Sequence, residues 1–292
     1  MHKSDIATLL ALGAAMFIAV GDVIQQRSAH DVTDEQVGHV ALFLRLLRDK
    51  QWWLGSLVAA GGFGLQAAAL GFGSVLLVQA LLVTSLLFAL PLSARFAGRR
   101  ITRSQWMWAV LLAAAVAVIV TVGNPSHGQS RAGLEMWIWV IATLGPLLAL
   151  CLLGARVFSG KPVAAVLLGL VAGSLWGLFA VLTKGVVDQL DLGMAAVLKL
   201  PELYPWAVVA VAATAVQQSA FRAGSMAASL PAVTISEPLV GSVLGVAILG
   251  EMLRPGRSGW VGLGIAVAVM VVATIELARG EATSVEPAPA PG

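Results

Sequence analysis

Glu237 is the residue whose type and position point most directly to chemistry. It lies near the middle of Ser225–Gly250, a run of 26 residues that holds no other charged side chain. A charge at the centre of a bilayer costs several kcal/mol, so such a residue normally faces a cavity or a partner. Pro238 removes a helical hydrogen bond and frees the Thr234 carbonyl. With the Thr234 and Ser236 hydroxyls, this carboxylate predicts an oxygen-lined site for a cation, including a metal ion, or for a titrating proton.

A structural role for Glu237 is the competing interpretation. A protonated Glu237 could donate a hydrogen bond to a neighbouring helix and fix the kink that Pro238 introduces. Pro231 would free the Ala227 carbonyl on nearly the same face, which suits either role. The sequence leaves both interpretations open.

Further polar side chains lie within apolar runs. Asp22 lies two residues before the end of Ile6–Ile24 and shares a helix face with Gln25, so it is a candidate for the same site. A solvated, interfacial position is the alternative for Asp22. The remaining candidates could bind a substrate or simply hydrogen-bond and pack between helices; they are Gln66, Gln79, Trp176, Gln217 and Gln218.

The composition indicates which kind of secondary structure must position these residues. Apolar residues make up 59% of the 292 residues and charged residues 11%, against about 25% charged in ordinary soluble domains. We therefore expect an all-α polytopic membrane protein. Gln51–Ala94 has no charged residue or histidine and would be about 66 Å long as one helix, so it must form two spans. The same reasoning predicts nine spans: Ile6–Ile24, Trp52–Leu70, Ser74–Ala94, Gln105–Gly123, Met136–Ala155, Val163–Thr183, Leu203–Phe221, Ser225–Gly250 and Ser258–Ile275.

Residues 37–50 are an amphipathic segment that leaves a tenth span open, although an interfacial helix fits its short apolar stretch better. Lys and Arg set the orientation, since cytoplasmic loops carry their excess. Nine spans with an outer amino terminus, or ten with an inner one, both place twelve of the 18 basic residues inside. Either count predicts an inner-membrane protein with a cytoplasmic carboxyl terminus.

The chain contains an internal repeat. Gln66–Ser74 resembles Gln217–Ser225 at an offset of 151 residues, and each segment opens a long apolar span. We expect a first unit at 1–125, a linking helix within 126–160, a second unit at 161–280 and a disordered tail at 281–292. An odd number of crossings separates equivalent helices, so the repeats are inverted. Inverted repeats are typical of secondary transporters with a site at the bilayer midplane, although duplication without transport is the alternative.

One stretch carries a family resemblance. Ser229–Glu251 combines a mid-helix Glu-Pro with a Leu-Gly-Glu ending, and a glycine-rich helix follows from Gly262. This pattern resembles the carboxy-terminal repeat of the drug/metabolite transporter superfamily, EamA-like branch. The count of nine spans, with segment 37–50 as a reduced second segment, is similar to the pattern of the NIPA-type magnesium-transporter branch. The first repeat departs from the pattern, since Leu86-Leu87 replaces Glu-Pro and Arg99-Arg100 replaces the terminal Glu.

Other function classes fit poorly. A net charge of +3 is too small for a nucleic-acid-binding surface. The four histidines lie outside the predicted spans without metal-ligand spacing, and no phosphate loop or nucleophile motif is present, so we expect neither an enzyme nor a cofactor. We expect a transporter of a small polar metabolite or divalent cation, driven by a gradient of protons or other cations, by the membrane potential or by the substrate's own gradient. A flippase for an amphipathic substrate and a membrane scaffold are the alternatives, and whether two copies associate is left open.

Overall fold

The computed structural model describes residues 3–32, 50–96, 98, 100–193, 197–223, 226–256 and 259–285. The described residues form α-helices joined by short connections, with one 3₁₀ turn at Leu190–Leu192 and one isolated bridge between Ser126 and Met252. In chain order the helices are α1 (Lys3–Val32), α2 (Lys50–Phe72), α3 (Val75–Leu82), α4 (Ser85–Phe96), α5 (Arg103–Thr121), α6 (Leu134–Val157), α7 (Pro162–Val187), α8 (Leu203–Ala223), α9 (Met226–Leu249) and α10 (Gly259–Val285).

The helices agree with the predicted polytopic membrane fold. Within the described ranges, eight stretches are long and apolar enough to cross a membrane, and α3 and α4 together form one of them. Each of the nine predicted spans corresponds to a helix or to this helix pair. The span outside the eight is α8, whose 21 residues reach about 31 Å but include Gln217, Gln218 and Arg222, which lower its hydropathy.

The two predicted units have matching internal contacts. In the first unit α1 packs against α2 and against the α3–α4 pair, and in the second unit α7 packs against α8 and α9. The last helices of the two units, α5 and α10, pack against each other. The linking helix α6 packs mainly against α7 and leaves most of its surface exposed, as expected for a helix that faces lipid.

Contacts between distant residues define the two ends of the bundle. At one end, here called the Glu251 end, the start of α3, the end of α7 and the segment after α9 meet. At the other, here called the Arg103 end, α5 and α7 begin. The repeats are inverted in the structure, because α1 begins at the Glu251 end, where Ala7 packs on Gly73, while its counterpart α7 ends there.

The direction of α1 bears on the number of spans. Gly21 packs on Ala59, and Gln25 packs on Gly55, so α1 and α2 run antiparallel. The carboxyl end of α1 and the amino end of α2 therefore lie at the same end of the bundle. This arrangement fits the nine-span count and not the ten-span count. The predicted interfacial helix at 37–50 lies, up to residue 49, outside the described residues.

Part of the predicted 281–292 tail is described by the structure. The last helix continues to Val285, so residues 281–285 are helical. Alanine and glutamate around this helix end favour helix, and Arg279 pairs with Glu276 one turn earlier. Residues 286–292 lie outside the described part of the chain.

Glycines allow α7 to pack closely on α9. Gly169, Gly173 and Gly177 recur every fourth residue on one face of α7, and each meets the backbone of α9. A Cβ at Gly173 would lie 2.1 Å from the Ser236 hydroxyl and 2.4 Å from the Val233 carbonyl oxygen. Small residues at this spacing let membrane helices approach until their backbones touch. The close approach fixes the position of Glu237 relative to α7.

Candidate solute-binding cavity

A cavity of about 140 Å³ lies between the two units, lined by residues of α1 to α4 and of α7, α8 and α9. All but three of the residues predicted from the sequence line it. These lining residues are Asp22, Gln25, Gln79, Trp176, Gln217, Gln218, Thr234, Glu237 and Pro238. Side chains that are far apart in the sequence, and that come from both repeats, therefore converge on one space.

The two acidic residues of the predicted spans face this cavity from different units. Asp22 comes from α1 and Glu237 from α9, and the two carboxyl groups are close enough to interact electrostatically. In the part of the chain that the structure describes, neither carboxyl group has a hydrogen-bond donor or a cation as its partner. Both side chains are only partly buried, because they are open to the cavity. The structure therefore places Asp22 in the cavity.

The helices that carry these groups are interrupted at equivalent positions. In the second unit, Pro231 and Pro238 lie within α9 and remove two helical hydrogen bonds. In the first unit, the α3–α4 span breaks at Val83 and Thr84 without a proline. The N–H groups of Thr84, Leu86 and Leu87 there bond to carbonyls three residues earlier rather than four. At the repeat offset of 151, Val83 matches Thr234, so each unit presents irregular backbone to the cavity.

Gln79 is the most unusual polar residue of the cavity wall. Its side chain is fully buried, yet neither its amide nitrogen nor its carbonyl oxygen has a hydrogen-bond partner among the described residues. Leaving a buried polar group without a partner costs about 1–3 kcal/mol. Gly241 of α9 packs against this amide, and the cavity lies beside it. Gln79 therefore has unmet hydrogen-bonding capacity next to the cavity.

Aromatic rings form another part of the wall. Phe63 stacks on Trp176 with ring centroids 4.9 Å apart, and Trp176 meets Phe179 edge to face. The Trp176 indole N–H donates a hydrogen bond to the Gln217 carbonyl oxygen, which orients both side chains. Phe179 stacks in turn on Trp206, so the aromatic cluster continues from the cavity toward the Glu251 end.

Three predicted residues lie outside the cavity lining. Ser236 is buried and donates its hydroxyl hydrogen to the Ala232 carbonyl at 2.6 Å, on the face that packs against Gly173. Gln66 is buried on α2, and its side-chain oxygen has no hydrogen-bond partner among the described residues. Of this repeat-related pair, Gln217 lines the cavity and Gln66 does not. Pro231 shapes α9 from a buried position. Helix periodicity in the sequence could not show that the Ser236 face of α9 would pack against the glycines of α7.

A buried ion pair that sequence reasoning missed closes the Glu251 end. The Glu251 side chain is fully buried and accepts hydrogen bonds from the N–H groups of Val75 at 2.7 Å and Leu76 at 2.9 Å. Lys184 lies 3.4 Å from the same carboxylate and donates to the Gly73 carbonyl oxygen at 2.7 Å. Snorkelling to the interface is the usual behaviour of a lysine at a span end, but Lys184 is buried instead.

Glu251 thus caps the amino terminus of α3. The first N–H groups of a helix lack partners within the helix, and the helix dipole favours an anion there. Ser74 completes the cap by accepting a hydrogen bond from the Leu77 N–H. The only sequence signal for this site is that Glu251 directly follows a long apolar run, which by itself indicates a span end.

Further polar contacts strengthen the same end of the bundle. Arg131 pairs with Glu202, and Ser130 donates to Asp188 at 2.7 Å. Every hydrogen bond and ion pair that joins described residues of the first unit to described residues of the second lies at this end. His127 is close by, and burial together with the positive charge of Lys184 lowers its pKa.

The described residues contain no group of three or more histidine, cysteine, aspartate or glutamate side chains that could hold a metal ion. The acidic ligands available in the cavity are the two carboxylates of Asp22 and Glu237. Magnesium and calcium sites normally combine carboxylates with several other oxygen ligands. A metal-binding role for Glu237 stays a prediction from the sequence.

Comparison with known proteins identifies a relative along the full length of the chain. The sequence is 39% identical over 293 aligned positions to an uncharacterized protein of Corynebacterium glutamicum, and the match covers 99% of both chains. The chain belongs to the same family as that protein. No family model matches the sequence. No solved structure matches it either.

Proposed function

We propose that this protein is a secondary transporter that moves a small polar solute across the membrane by alternating access between its two inverted units. The observation that carries the proposal is that Asp22 and Glu237 face one cavity between the units, and that neither carboxyl group has a partner among the described residues. Ionisable groups at membrane depth are costly, so these two carboxyl groups indicate a place for a solute or a coupling ion.

The backbone around the cavity supports the same proposal. Irregular backbone within a membrane is tolerated where it lines a cavity, and interrupted helices form the substrate sites of many secondary transporters. Here the break at Val83–Thr84 and the kinks of α9 occupy equivalent positions in the two units. Exchange of the two units' conformations would expose the cavity to each side in turn.

The other functions weighed from the sequence receive less support. A scaffold does not need a cavity with unpartnered carboxyl groups. A flippase substrate would bring an apolar tail to a cavity that two carboxyl groups and four glutamines line. A divalent cation would find only two carboxylates among the described lining residues. A small polar solute, with protons or another ion as the coupling species, fits the cavity best.

The positive-inside rule gives the proposed orientation. Cytoplasmic loops carry the excess of basic residues, which places the Arg103 end and the carboxyl terminus in the cytoplasm of an inner-membrane protein. The inter-unit hydrogen bonds at the Glu251 end then hold the outer side closed. Membership in the drug/metabolite transporter superfamily, EamA-like branch, is part of this proposal and rests on the Glu-Pro motif and the inverted repeats.

Accessibility of the cavity from each side tests alternating access. A cysteine replaces Thr214, which lines the cavity, in a Cys151→Ala background. We expect a membrane-impermeant thiol reagent to label it from the cytoplasmic side, and the added substitution Glu251→Gln to increase labelling from the outside. Gln129→Cys, in the exposed segment before α6, serves as the control that is labelled from the outside throughout. A cysteine at 214 that is labelled from only one side, or from neither, in both backgrounds would contradict the proposal.

Flux measurements test the role of Glu237. Vesicles that contain the purified protein are given imposed proton, magnesium and voltage gradients, and ion movements are followed with internal dyes. We expect Glu237→Gln to abolish or uncouple the flux, while Glu276→Gln, the same change on an exposed part of α10, leaves it unchanged. If Glu237→Gln alters neither flux nor its pH dependence, Glu237 is not the coupling residue.

A further inference from the structure

The charge of the cavity wall points to the sign of its solute. Asp22 and Glu237 contribute two carboxyl groups, and the described lining residues include no lysine, arginine or histidine. In a site shielded from water, opposite charges attract far more strongly than at a surface. A neutral or anionic solute would leave these carboxyl groups without a counter-charge.

The hydrogen-bonding groups of the wall point to a solute with N–H donors. An ionised carboxylate only accepts hydrogen bonds, whereas each glutamine offers both donors and acceptors. The Gln79 carbonyl oxygen is buried beside the cavity without a partner among the described residues, so a small movement of this side chain would add a third acceptor to the two carboxyl groups. A protonated amine or a guanidinium group could satisfy all three, while a quaternary ammonium group has no N–H to donate.

The aromatic part of the wall favours an organic cation over a metal ion. Phe63 and Trp176 line the cavity next to the acidic side chains. Aromatic faces attract ammonium and guanidinium groups, and guanidinium also stacks on them. A magnesium ion, in contrast, demands near-octahedral oxygen ligands and keeps its waters, for which stacked rings offer nothing.

The cavity is large enough for a small solute. The centre of a water-sized sphere can occupy about 140 Å³ of it, about ten times the roughly 10–15 Å³ that one buried water needs on this measure. This space admits a methylammonium or guanidinium group, or the cationic head of a larger molecule.

We propose that the cavity binds a small organic cation with N–H donors, a protonated amine or a guanidinium group, between Asp22 and Glu237 with the Gln79 carbonyl oxygen as a third acceptor. The proposal rests on the transport function proposed above and names the class of its substrate. Asp22 and Glu237 provide the charge, Gln79 selects for N–H donors, and the Phe63–Trp176 wall contacts the apolar face of the cation.

Thermal unfolding of the purified full-length chain tests this substrate class. The probes are guanidinium, methylammonium, tetramethylammonium, magnesium and acetate at millimolar concentration and equal ionic strength. A ligand that binds only the folded protein stabilises it by RT ln(1 + [L]/Kd), so the unfolding temperature rises once the ligand concentration [L] exceeds its Kd. We expect guanidinium and methylammonium to raise it and the other three probes to leave it unchanged.

Variants connect the shift to the cavity. Asp22→Asn and Glu237→Gln should each weaken binding of methylammonium by about tenfold or more, the usual effect of losing one charge-assisted hydrogen bond. The control Glu276→Gln should retain the wild-type shift. Having two independent cavity variants keeps the test valid if one of them fails to fold.

The possible results separate this proposal from the transport proposal. A shift with tetramethylammonium as large as that with methylammonium, a shift only with magnesium or acetate, a shift that survives both carboxyl substitutions, or no shift with any probe would overturn the substrate class. Labelling of the cysteine at 214 from both sides would leave the transport function standing in each of these cases. Absence of that labelling would remove the transport function itself.

Discussion

Removing either partner of the buried Lys184–Glu251 ion pair should lower the free energy of unfolding, by different amounts for the two residues. Breaking a buried ion pair by removing one partner costs about 3–5 kcal/mol, mostly because a buried charge is left without compensation. In the variant Lys184→Met, the Glu251 carboxylate still accepts the N–H groups of Val75 and Leu76. We therefore expect a cost near the lower limit, about 3 kcal/mol.

The reverse substitution should cost more. Glu251→Leu leaves the Lys184 ammonium buried with only the Gly73 carbonyl as a partner, and it also orphans the two N–H groups at the start of α3. Each orphaned group adds about 1–3 kcal/mol. We expect Glu251→Leu to exceed Lys184→Met by at least about 1 kcal/mol, and the double variant to cost less than the sum of the two.

Reversible unfolding in mixed detergent micelles measures these free energies, with the four proteins of a double-mutant cycle compared under identical conditions. Arg279→Met is the matched control, because its pair with Glu276 is exposed and contributes little. The reasoning is wrong if Lys184→Met is the more destabilising change, or if the two substitutions add without coupling.

Three further predictions concern packing, pH and topology. Gly173→Ala should destabilise the fold, because its Cβ would lie 2.1 Å from the Ser236 hydroxyl, whereas Gly64→Ala, with open space around it, should have little effect on the unfolding midpoint. Because the pKa of His127 is lower in the folded protein, the unfolded chain binds the proton more tightly. The unfolding midpoint should therefore fall slightly as pH drops through about 6.5. The fall should be smaller in His127→Gln. In a Cys151→Ala background, Ser104→Cys should react with an impermeant thiol reagent only from the cytoplasmic side and Gln129→Cys only from the outside, and the opposite pattern would reverse the proposed topology.

The spans could be predicted from the sequence because twenty apolar residues have few alternatives to a transmembrane helix. Glu237 could be singled out for the same reason, since a lone charge in an apolar run is conspicuous. The position of Asp22 was harder to predict. It lies near the end of an apolar run, and this alone does not show that α2 packs on α1 through Ala59 and holds that part of α1 against the cavity.

Two structural features could not be predicted from the sequence, for physical reasons. The break at Val83–Thr84 has no proline to announce it, and it depends on bonds three residues back that only tertiary packing stabilises. The Lys184–Glu251 pair joins two span ends that are distant in the chain. Each end taken alone has the composition of an ordinary membrane boundary, so only the folded bundle reveals their pairing.

The capping of α3 by Glu251 has a consequence for the order in which the protein forms. The N–H groups of Val75 and Leu76 receive their partner from a residue made about 175 positions later in synthesis. A buried N–H group without a partner costs about 1–3 kcal/mol, so the nascent first unit lacks part of the cap that stabilises its own third span. We expect the amino-terminal half expressed alone to be degraded, and the two halves expressed together as separate chains to rescue each other.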